Sequence, residues 1–323
     1  MAAIAITGAT GFLGGTLARR LLGLGQPVLA LGRDPAKLAD LAALGARTMA
    51  CDLSAGIPQS AEQSVEALVH CAALSSAWGP REAFRAANVG GTHHAILLAR
   101  KLGARRFVHV STPSIYFRFR DQEQVREDAA LPPPVNAYAE TKRAAEALVL
   151  AAGDLDPVIL RPRGIYGAGD TALLPRLLRA ARTGPLPLVR GGTARTDLTH
   201  VEDAASAILA SLKLPLSPHK RIFNISGGEP LTIRQIAEQA AGYAGATLRW
   251  RTVPAGALLT TARALELAAR LHPGQPEPRI TAYSAGLFAF SQTLDLSAAR
   301  AHLGWSPRIS FEEGLARTFG DRA

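Results

Sequence analysis

The sequence predicts an α/β fold, a doubly wound parallel sheet with a smaller C-terminal α/β lobe. Three observations predict it. Short, continuously apolar runs alternate with helical patterns through the first two-thirds of the 323 residues, as parallel strands covered on both faces do. A glycine-rich turn, Thr7-Gly-Ala-Thr-Gly-Phe-Leu-Gly14, divides the first strand pattern from the first helix pattern. Farther on, Tyr138 and Lys142 stand four residues apart in Asn-Ala-Tyr-Ala-Glu-Thr-Lys, which puts phenol and ammonium one turn apart on one helix face.

In chain order, strands are expected at 3–7, 27–31, 47–51, 67–71, 106–110 and 157–161, with helices near 12–23, 35–43, 81–102 and 136–152. After Arg161 proline and glycine become frequent (Pro162, Gly164, Gly167, Pro175), marking departures from the sheet. Further helices are expected at 172–183, 202–213, 232–244 and 255–271, the last running into a proline-rich loop at 272–278. The expected division is a dinucleotide-binding domain over 1–165, to which 196–225 and about 289–304 return, and a substrate lobe made of 166–195, 226–288 and 305–323. That lobe would close over the strand ends, where ligands of open α/β sheets sit.

Composition excludes several classes. The net charge is +10, but it is scattered, with no basic run and no aromatic-plus-basic module, so no nucleic-acid partner is expected. Arginine outnumbers lysine about six to one beside heavy alanine and leucine use, a pattern read as coding bias. Cys51 and Cys71 form neither a disulfide framework nor metal-ligand spacing, and the eight histidines include no His-x-x-x-His. A reduced, metal-free cytoplasmic protein is expected, with no signal peptide and no stable membrane insertion, since no apolar stretch has bilayer-spanning length.

The glycine turn implies a Rossmann-type nucleotide site. Gly8, Gly11 and Gly14 let the backbone turn tightly and approach a pyrophosphate, which the following helix N-terminus attracts; Thr10, Phe12 and Leu13 complete the turn. The second strand bears on which dinucleotide. Sites for NAD(H) carry an acid at its end, bonding the ribose 2′-hydroxyl. Here the end reads Ala30-Leu-Gly-Arg-Asp34. Gly32 holds the acid position, and Arg33 suits a 2′-phosphate by bidentate hydrogen bonding. NADP(H) is therefore preferred, with NAD(H) retained as the option in which Asp34 takes the acid's role. Asp52 is placed to accept from the adenine amine, or else caps a turn; Leu53 would pack on the ring.

The Tyr138/Lys142 pair points to redox chemistry at a carbonyl. An ammonium near a phenol lowers its pKa from about 10 toward neutrality, and a phenol so tuned exchanges a proton with an alcohol or ketone.

Together these motifs resemble the extended short-chain dehydrogenase/reductase family (the NAD-dependent epimerase/dehydratase superfamily) over essentially the whole chain. The matching elements, in the family's order, are TGATGFLG at 7–14, Asp52-Leu53, Cys71-Ala72-Ala73, Asn88-Val-Gly-Gly-Thr92, Val110-Ser-Thr-Pro-Ser-Ile-Tyr116, the Tyr138/Lys142 pair, Leu160-Arg-Pro-Arg-Gly-Ile-Tyr-Gly167, Thr199-His-Val-Glu-Asp203, Phe223-Asn-Ile-Ser226 and Leu303-Gly-Trp-Ser-Pro307. The resemblance implies that Tyr138 is the catalytic acid, that Lys142 holds the nicotinamide ribose and that a hydroxyl after the fifth strand bonds the substrate oxygen. Thr112 best matches that hydroxyl, with Ser111 and Ser114 as alternatives. Gly164 and Ile165 would line the nicotinamide, and Cys71, Ala72 and Ala73 the cofactor. Asn88 is either a relay or a structural helix residue. It also implies a homodimer through helices 81–102 and 136–152.

Two departures narrow the chemistry. Dehydratases of the family carry an Asp-Glu pair where Pro113-Ser114 stand, and sugar-nucleotide epimerases an asparagine where Gly164 stands. The segments Ser75-Ser-Ala-Trp-Gly79, Ser111-Thr-Pro-Ser114, Arg161-Pro-Arg163 and Ser291-Gln-Thr-Leu-Asp295 resemble the 3β-hydroxysteroid dehydrogenase-like branch, including bacterial 2-alkyl-3-oxoalkanoate reductases. That implies hydride transfer between NADP(H) and a secondary alcohol or ketone on a bulky apolar substrate. Trp78 and Ser114 would face it, and helix 255–271 and segment 285–290 would wall its pocket or serve only as core. The alternatives are a nucleotide-sugar epimerase or decarboxylase that retains its cofactor, and a non-catalytic NADP(H)-sensing protein.

Overall fold

Seven strands pair in parallel into one sheet. β1 (Ala3–Thr7) lies in its interior; β2 (Val28–Gly32) and β3 (Arg47–Ala50) extend it to one edge. β4 (Val65–His70), β5 (Arg106–Val110) and the strands Val158–Pro162 and Ile222–Ile225 extend it to the other. The chain thus starts inside the sheet, winds to one edge and returns to build the other, leaving a switch point between β1 and β4, where such sheets bind ligands. The computed structural model describes residues 2–58, 64–216 and 220–320.

All six expected strands are present with ends within two residues of the expectation. Ala5, Ile6, Leu29, Ala30 and Leu31 are buried, and helices cover both faces. α1 (Phe12–Gly23) turns Leu13, Leu17 and Leu21 onto one face. α2 (Pro35–Ala43) buries Leu38 and Leu41, starting where Asp34 accepts from Ala36 N and Lys37 N and Pro35 presets the first helical φ. The expected helix 81–102 is three pieces: Arg81–Phe84, a π-helical turn Arg85–Gly90, and Gly91–Lys101. The π turn holds Asn88, whose buried amide is needed elsewhere, as described below.

Beyond the parallel sheet lie the helices Leu174–Thr183, Ile233–Tyr243, Ala255–Leu271 and Ala282–Ala289, and a four-stranded sheet in the order Leu231–Thr232, Arg195–Thr196, Gln292–Leu294, Gln122–Val125, which pairs segments expected in both domains. The helix Ala282–Ala289 was expected only as an apolar segment; Thr281 caps it, its side chain accepting from Ser284 N. The segments Arg161-Pro-Arg163 and Ser291-Gln-Thr-Leu-Asp295 meet here: Arg163 donates to Gln292 Oε1 at 2.5 Å and to Thr196 Oγ1 at 3.0 Å. Among the described residues no helix is long and apolar enough to cross a membrane, and no group of three or more His, Cys, Asp or Glu could hold a metal.

Candidate active site

The glycine turn is dictated by backbone contacts. Gly8 has φ +68, and a Cβ there would lie 2.7 Å from Ala72 N. A Cβ on Gly14 would lie 2.3 Å from the Gly8 carbonyl oxygen, and one on Gly11 3.1 Å from it. The turn, the first helical residues and the Cys71-Ala72 backbone are therefore pressed together at the end of β1 and β4. Gly11 begins α1 without a side-chain cap, so the helix's first N–H groups remain available to an anion. Leu13 is buried beneath the turn and Phe12 packs against the same core.

At the end of β2, the Thr10 side chain occupies the space over Gly32, where a Cβ would meet Thr10 Oγ1 at 2.6 Å. The glycine at the acid position is thus a packing requirement. Asp34 is committed to capping α2. The Arg33 side chain is 78% exposed and 3.9 Å from Asp52, so its guanidinium stands at the rim beside the turn. Asp52 Oδ1 accepts from Ser54 N at 2.9 Å and from Ser54 Oγ at 2.7 Å, and those bonds hold the carboxyl below its ordinary pKa. Its turn-capping role is therefore present in the structure. Leu53 is buried, with its carbonyl accepting from His94 Nδ1 at 2.6 Å.

Tyr138 and Lys142 share the helix Ala137–Ala151, which begins where the Asn136 side chain accepts from Ala139 N. Their chemistry departs from the expectation. The Lys142 amine donates to Val110 O at 2.7 Å and lies 3.1 Å from His109 Nε2. Burial brings it down to about 8, against the Glu146 carboxylate and the Cys71 sulfur, which hold it up. Burial likewise pushes the Tyr138 phenol above its ordinary value, although hydrogen bonds with Ser75 and Thr112 pull the other way. The expected lowering of the phenol by the ammonium is corrected: desolvation outweighs the polar contacts, and Lys142 is drawn to β5.

The hydroxyls after β5 divide their roles. Thr112 bonds Tyr138, donates to Ser114 Oγ at 3.0 Å and accepts from Ser114 N at 3.2 Å. Ser114 is bonded at 2.7 Å to the hydroxyl of Tyr283. Ser111 Oγ is buried without a partner among the described residues. Asn88 clasps the Leu74 backbone, accepting from Leu74 N at 2.7 Å and donating to Leu74 O at 3.2 Å, and donates to Thr141 Oγ1 at 3.0 Å. It pins the loop after β4 to the Tyr–Lys helix. Trp78, on that loop, donates from Nε1 to Gln275 O at 3.0 Å and lies under the Arg270 guanidinium, so it joins the loop to the second lobe. Gly164 has φ +46 and faces the Leu198 side chain; Ile165 begins the short strand that follows.

Residues 4–226 match the NAD dependent epimerase/dehydratase family. The chain belongs to that family. It is 35% identical to a 2-alkyl-3-oxoalkanoate reductase of Stenotrophomonas maltophilia, over 97% of each chain. It is 28% identical to a 3beta-hydroxysteroid-dehydrogenase/decarboxylase of Arabidopsis thaliana, over 79% of this chain and 62% of that one. Among solved structures it resembles MoeE5 in complex with UDP-glucose and NAD, with TM-score 0.73, 25% identity, and 98% and 97% of the two chains covered. Relatives named as reductases and dehydrogenases place this epimerase/dehydratase family member among NAD(P)-dependent oxidoreductases. The glycine turn fits a nicotinamide dinucleotide, because the space each glycine Cβ would fill is closed by backbone while the α1 N-terminus stays uncapped.

Three residues of the candidate site carry no signal of their own in the sequence. Tyr283 reaches the hydroxyl string from a helix not expected. Ser75 lies within the segment Ser75-Ser-Ala-Trp-Gly79, where nothing in the sequence marks it apart from Ser76. His109 lay inside a strand pattern, and only its place beneath Lys142 shows its contact. His109 stacks on His70 with ring centroids 5.4 Å apart, and His70 is bonded to Thr7 Oγ1 at 2.7 Å and Thr92 Oγ1 at 3.0 Å.

Proposed function

We propose that the chain is an NADP(H)-dependent oxidoreductase acting on the secondary alcohol or ketone of a bulky apolar substrate, of 3β-hydroxysteroid or 3-oxoalkanoate type. The observation that carries this reading is the placement of Tyr138 and Lys142 on one helix beside the Thr112–Ser114–Tyr283 hydroxyl string at the end of β5. The phenol, protonated at neutral pH at its ordinary value, is raised further by burial. A protonated phenol is the form that an acid in carbonyl reduction needs. The nicotinamide would supply or accept the hydride. Thr112 and Tyr138 hydrogen-bond the carbonyl oxygen, and Tyr138 passes its proton to that oxygen as the alcohol forms. A hydrogen bond from the Ser75 hydroxyl then stabilises the phenolate left behind, while the single Thr112 proton goes to the substrate oxygen. Gly8, Gly11 and Gly14 with the α1 N-terminus hold the pyrophosphate, and Lys142 holds the nicotinamide ribose.

Arg33 at the rim, the closed acid position at Gly32 and the committed Asp34 support NADP(H) over NAD(H). Phe117 stands edge-on to Tyr283 at 5.1 Å and to Phe119 at 5.4 Å, which supports an apolar wall beside the hydroxyls. The name of the Stenotrophomonas relative denotes a β-keto substrate, in keeping with that wall. Family resemblance also supports a homodimer through helices 81–101 and Ala137–Ala151, which sedimentation velocity would test. The competing reading, an epimerase with retained cofactor, has the likeness to MoeE5 in its favour, whereas Pro113, Ser114 and Gly164 offer neither an acid–base pair nor an amide. The deciding experiment compares NADPH with NADH binding, then follows consumption of the tighter one against β-keto acids, ketosteroids and nucleotide sugars. Turnover on an apolar ketone supports the reductase; tight binding without net consumption, together with interconversion of a nucleotide sugar, supports the epimerase.

A further inference from the structure

The helix Ala255–Leu271 buries Leu258, Ala262 and Ala269 against the second lobe. Surface helices carry charged residues on the side opposite their buried stripe. This one does not. At 100° per residue, the solvent arc holds Ala257, Thr260, Thr261, Ala264, Leu267, Ala268 and Leu271, all exposed and none charged. Leu267 and Leu271 are 61% and 78% exposed. An uncharged outer arc with two well-exposed leucines is a face suited to an occupant.

The charges around the arc indicate which one. Arg263 and Arg270 border it along one edge, held against the Phe119 and Trp78 rings at 5.4 Å and 5.6 Å. The two carboxylates nearby are engaged: Glu266 accepts from Ala282 N at 2.8 Å, and Glu277 pairs with Arg176. One edge is therefore positive beside an uncharged strip that carries Leu267 and Leu271. A second copy laid antiparallel on the same arc would bring Arg263 and Arg270 of the two chains together, which opposes self-pairing. An anionic lipid surface satisfies both features, accepting the apolar strip at the acyl boundary and the guanidinium groups at the headgroups.

We propose that the outer face of helix Ala255–Leu271 docks on an anionic membrane surface, with the helix lying in the interface rather than spanning it. The surface argument is independent of the reaction; only its use, delivering a membrane-dissolved apolar ketone, rests on the proposed function. The route is short. Glu266 joins this helix to the start of Ala282–Ala289, and Tyr283 on that next helix is bonded to Ser114.

The test is cosedimentation of the full chain with phosphatidylcholine vesicles, with and without phosphatidylglycerol. Binding should require phosphatidylglycerol, decline as salt rises, and weaken at least about tenfold in Leu267→Glu/Leu271→Glu. The double variant should keep its melting temperature and, if the proposed reaction is correct, its turnover of a water-soluble ketone. Absence of binding to anionic vesicles, or binding that the double variant retains, overturns the proposal. So does a wild-type dimer that the variant abolishes while neither protein binds vesicles, an outcome that assigns the face to a second copy. Failure of the ketone reaction with intact vesicle binding would overturn the proposed function alone.

Discussion

The Lys142 amine nitrogen stands 3.1 Å from Nε2 of His109, and this contact ties the candidate site to the buried centre of the sheet. The His109 imidazole is held neutral, its pKa pushed well below 6.5 by burial, with the Lys142 charge and the stacked His70 adding to the shift. A neutral ring that accepts at Nε2 carries its proton on Nδ1, and Nδ1 has no partner among the described residues. Lys142 itself is buried and brought down to about 8. At neutral pH, therefore, the site pairs an ammonium with a protonated phenol. For reduction, kcat/KM should hold level at neutral pH and fall on the alkaline side through an apparent pKa of about 8, as Lys142 loses its charge. A limb at or above the ordinary phenol value would instead assign the titration to Tyr138.

The same histidines make the fold acid-sensitive. Burial lowers His70 from 6.5 to about 3, with the Lys142 charge adding to it. Because the folded pKa lies below the unfolded one, the unfolded chain binds more protons between those two values. Stability is thus fully present above pH 6.5 and is lost as pH falls toward 3, by about 1.4 kcal/mol per pH unit for each histidine. Chemical denaturation at stepped pH should show this slope, and His70→Asn should flatten it while lowering stability at neutral pH. An unchanged slope in that variant would place the acid sensitivity elsewhere, with carboxylates such as Asp121 and Asp295 the next to examine.

Tyr138→Phe removes the proton donor and leaves the ring in place. Turnover on a ketone should fall by at least about a thousandfold, whereas NADPH affinity should stay within about twofold, because the glycine turn and Lys142 are untouched. Thr112→Val should cost less, about tenfold to a hundredfold, since Ser75 also bonds the phenol. Single-turnover kinetics with separately measured cofactor binding distinguish the two effects. Near-normal turnover in Tyr138→Phe would sink the proposed acid.

Local features of the chain marked much of this arrangement. α1 and α2 were readable to their end residues, because Gly11-Phe12 and Asp34-Pro35 announce helix starts and the leucines recur at helical spacing. The glycine turn and the Tyr138/Lys142 spacing likewise survive without tertiary information. Other parts depend on it. Ala282–Ala289 is eight residues of nearly uniform apolarity, with no polar face to give a helical period. Ile222–Ile225 is a four-residue strand interrupted by Asn224, whose side chain donates to Val125 O from inside the core. The phenol's pKa could not be read from spacing: Lys142 shares its helix face with Tyr138, yet the β5 carbonyl and His109 claim the amine.

The buried pair Arg161–Glu146 supports the site from behind. Arg161 donates to Glu146 at 2.9 Å and 2.6 Å and also to the Tyr116 hydroxyl, fastening the helix of Tyr138 and Lys142 to the strand Val158–Pro162. Removing one partner strands a buried charge, so Glu146→Leu should destabilise by about 3–5 kcal/mol. Glu146→Gln should be milder because it preserves hydrogen-bonding capacity. Since the Glu146 carboxylate also holds up the pKa of Lys142, the alkaline limb of kcat/KM should move to lower pH in Glu146→Gln, a shift that packing loss alone would not produce.

The proposed NADP(H) preference turns on Gly32 and Arg33 together. In Arg33→Ala, NADPH should bind at least about tenfold more weakly, a loss of about 1.4 kcal/mol, while NADH affinity should hardly change. Restoring an acid is harder than a single substitution suggests, because a Cβ at position 32 falls 2.5 Å from Thr10 Cγ2. Gly32→Asp should therefore lose stability without gaining NADH affinity. In Gly32→Asp/Thr10→Gly the carboxylate has room to reach a ribose 2′-hydroxyl, so NADH affinity should rise and NADPH affinity fall further through repulsion of the 2′-phosphate. Fluorescence titration of the four proteins with both cofactors measures this. An Arg33→Ala variant that weakens NADH and NADPH equally would mean that Arg33 contacts a feature common to both, and would overturn the proposed preference for NADP(H).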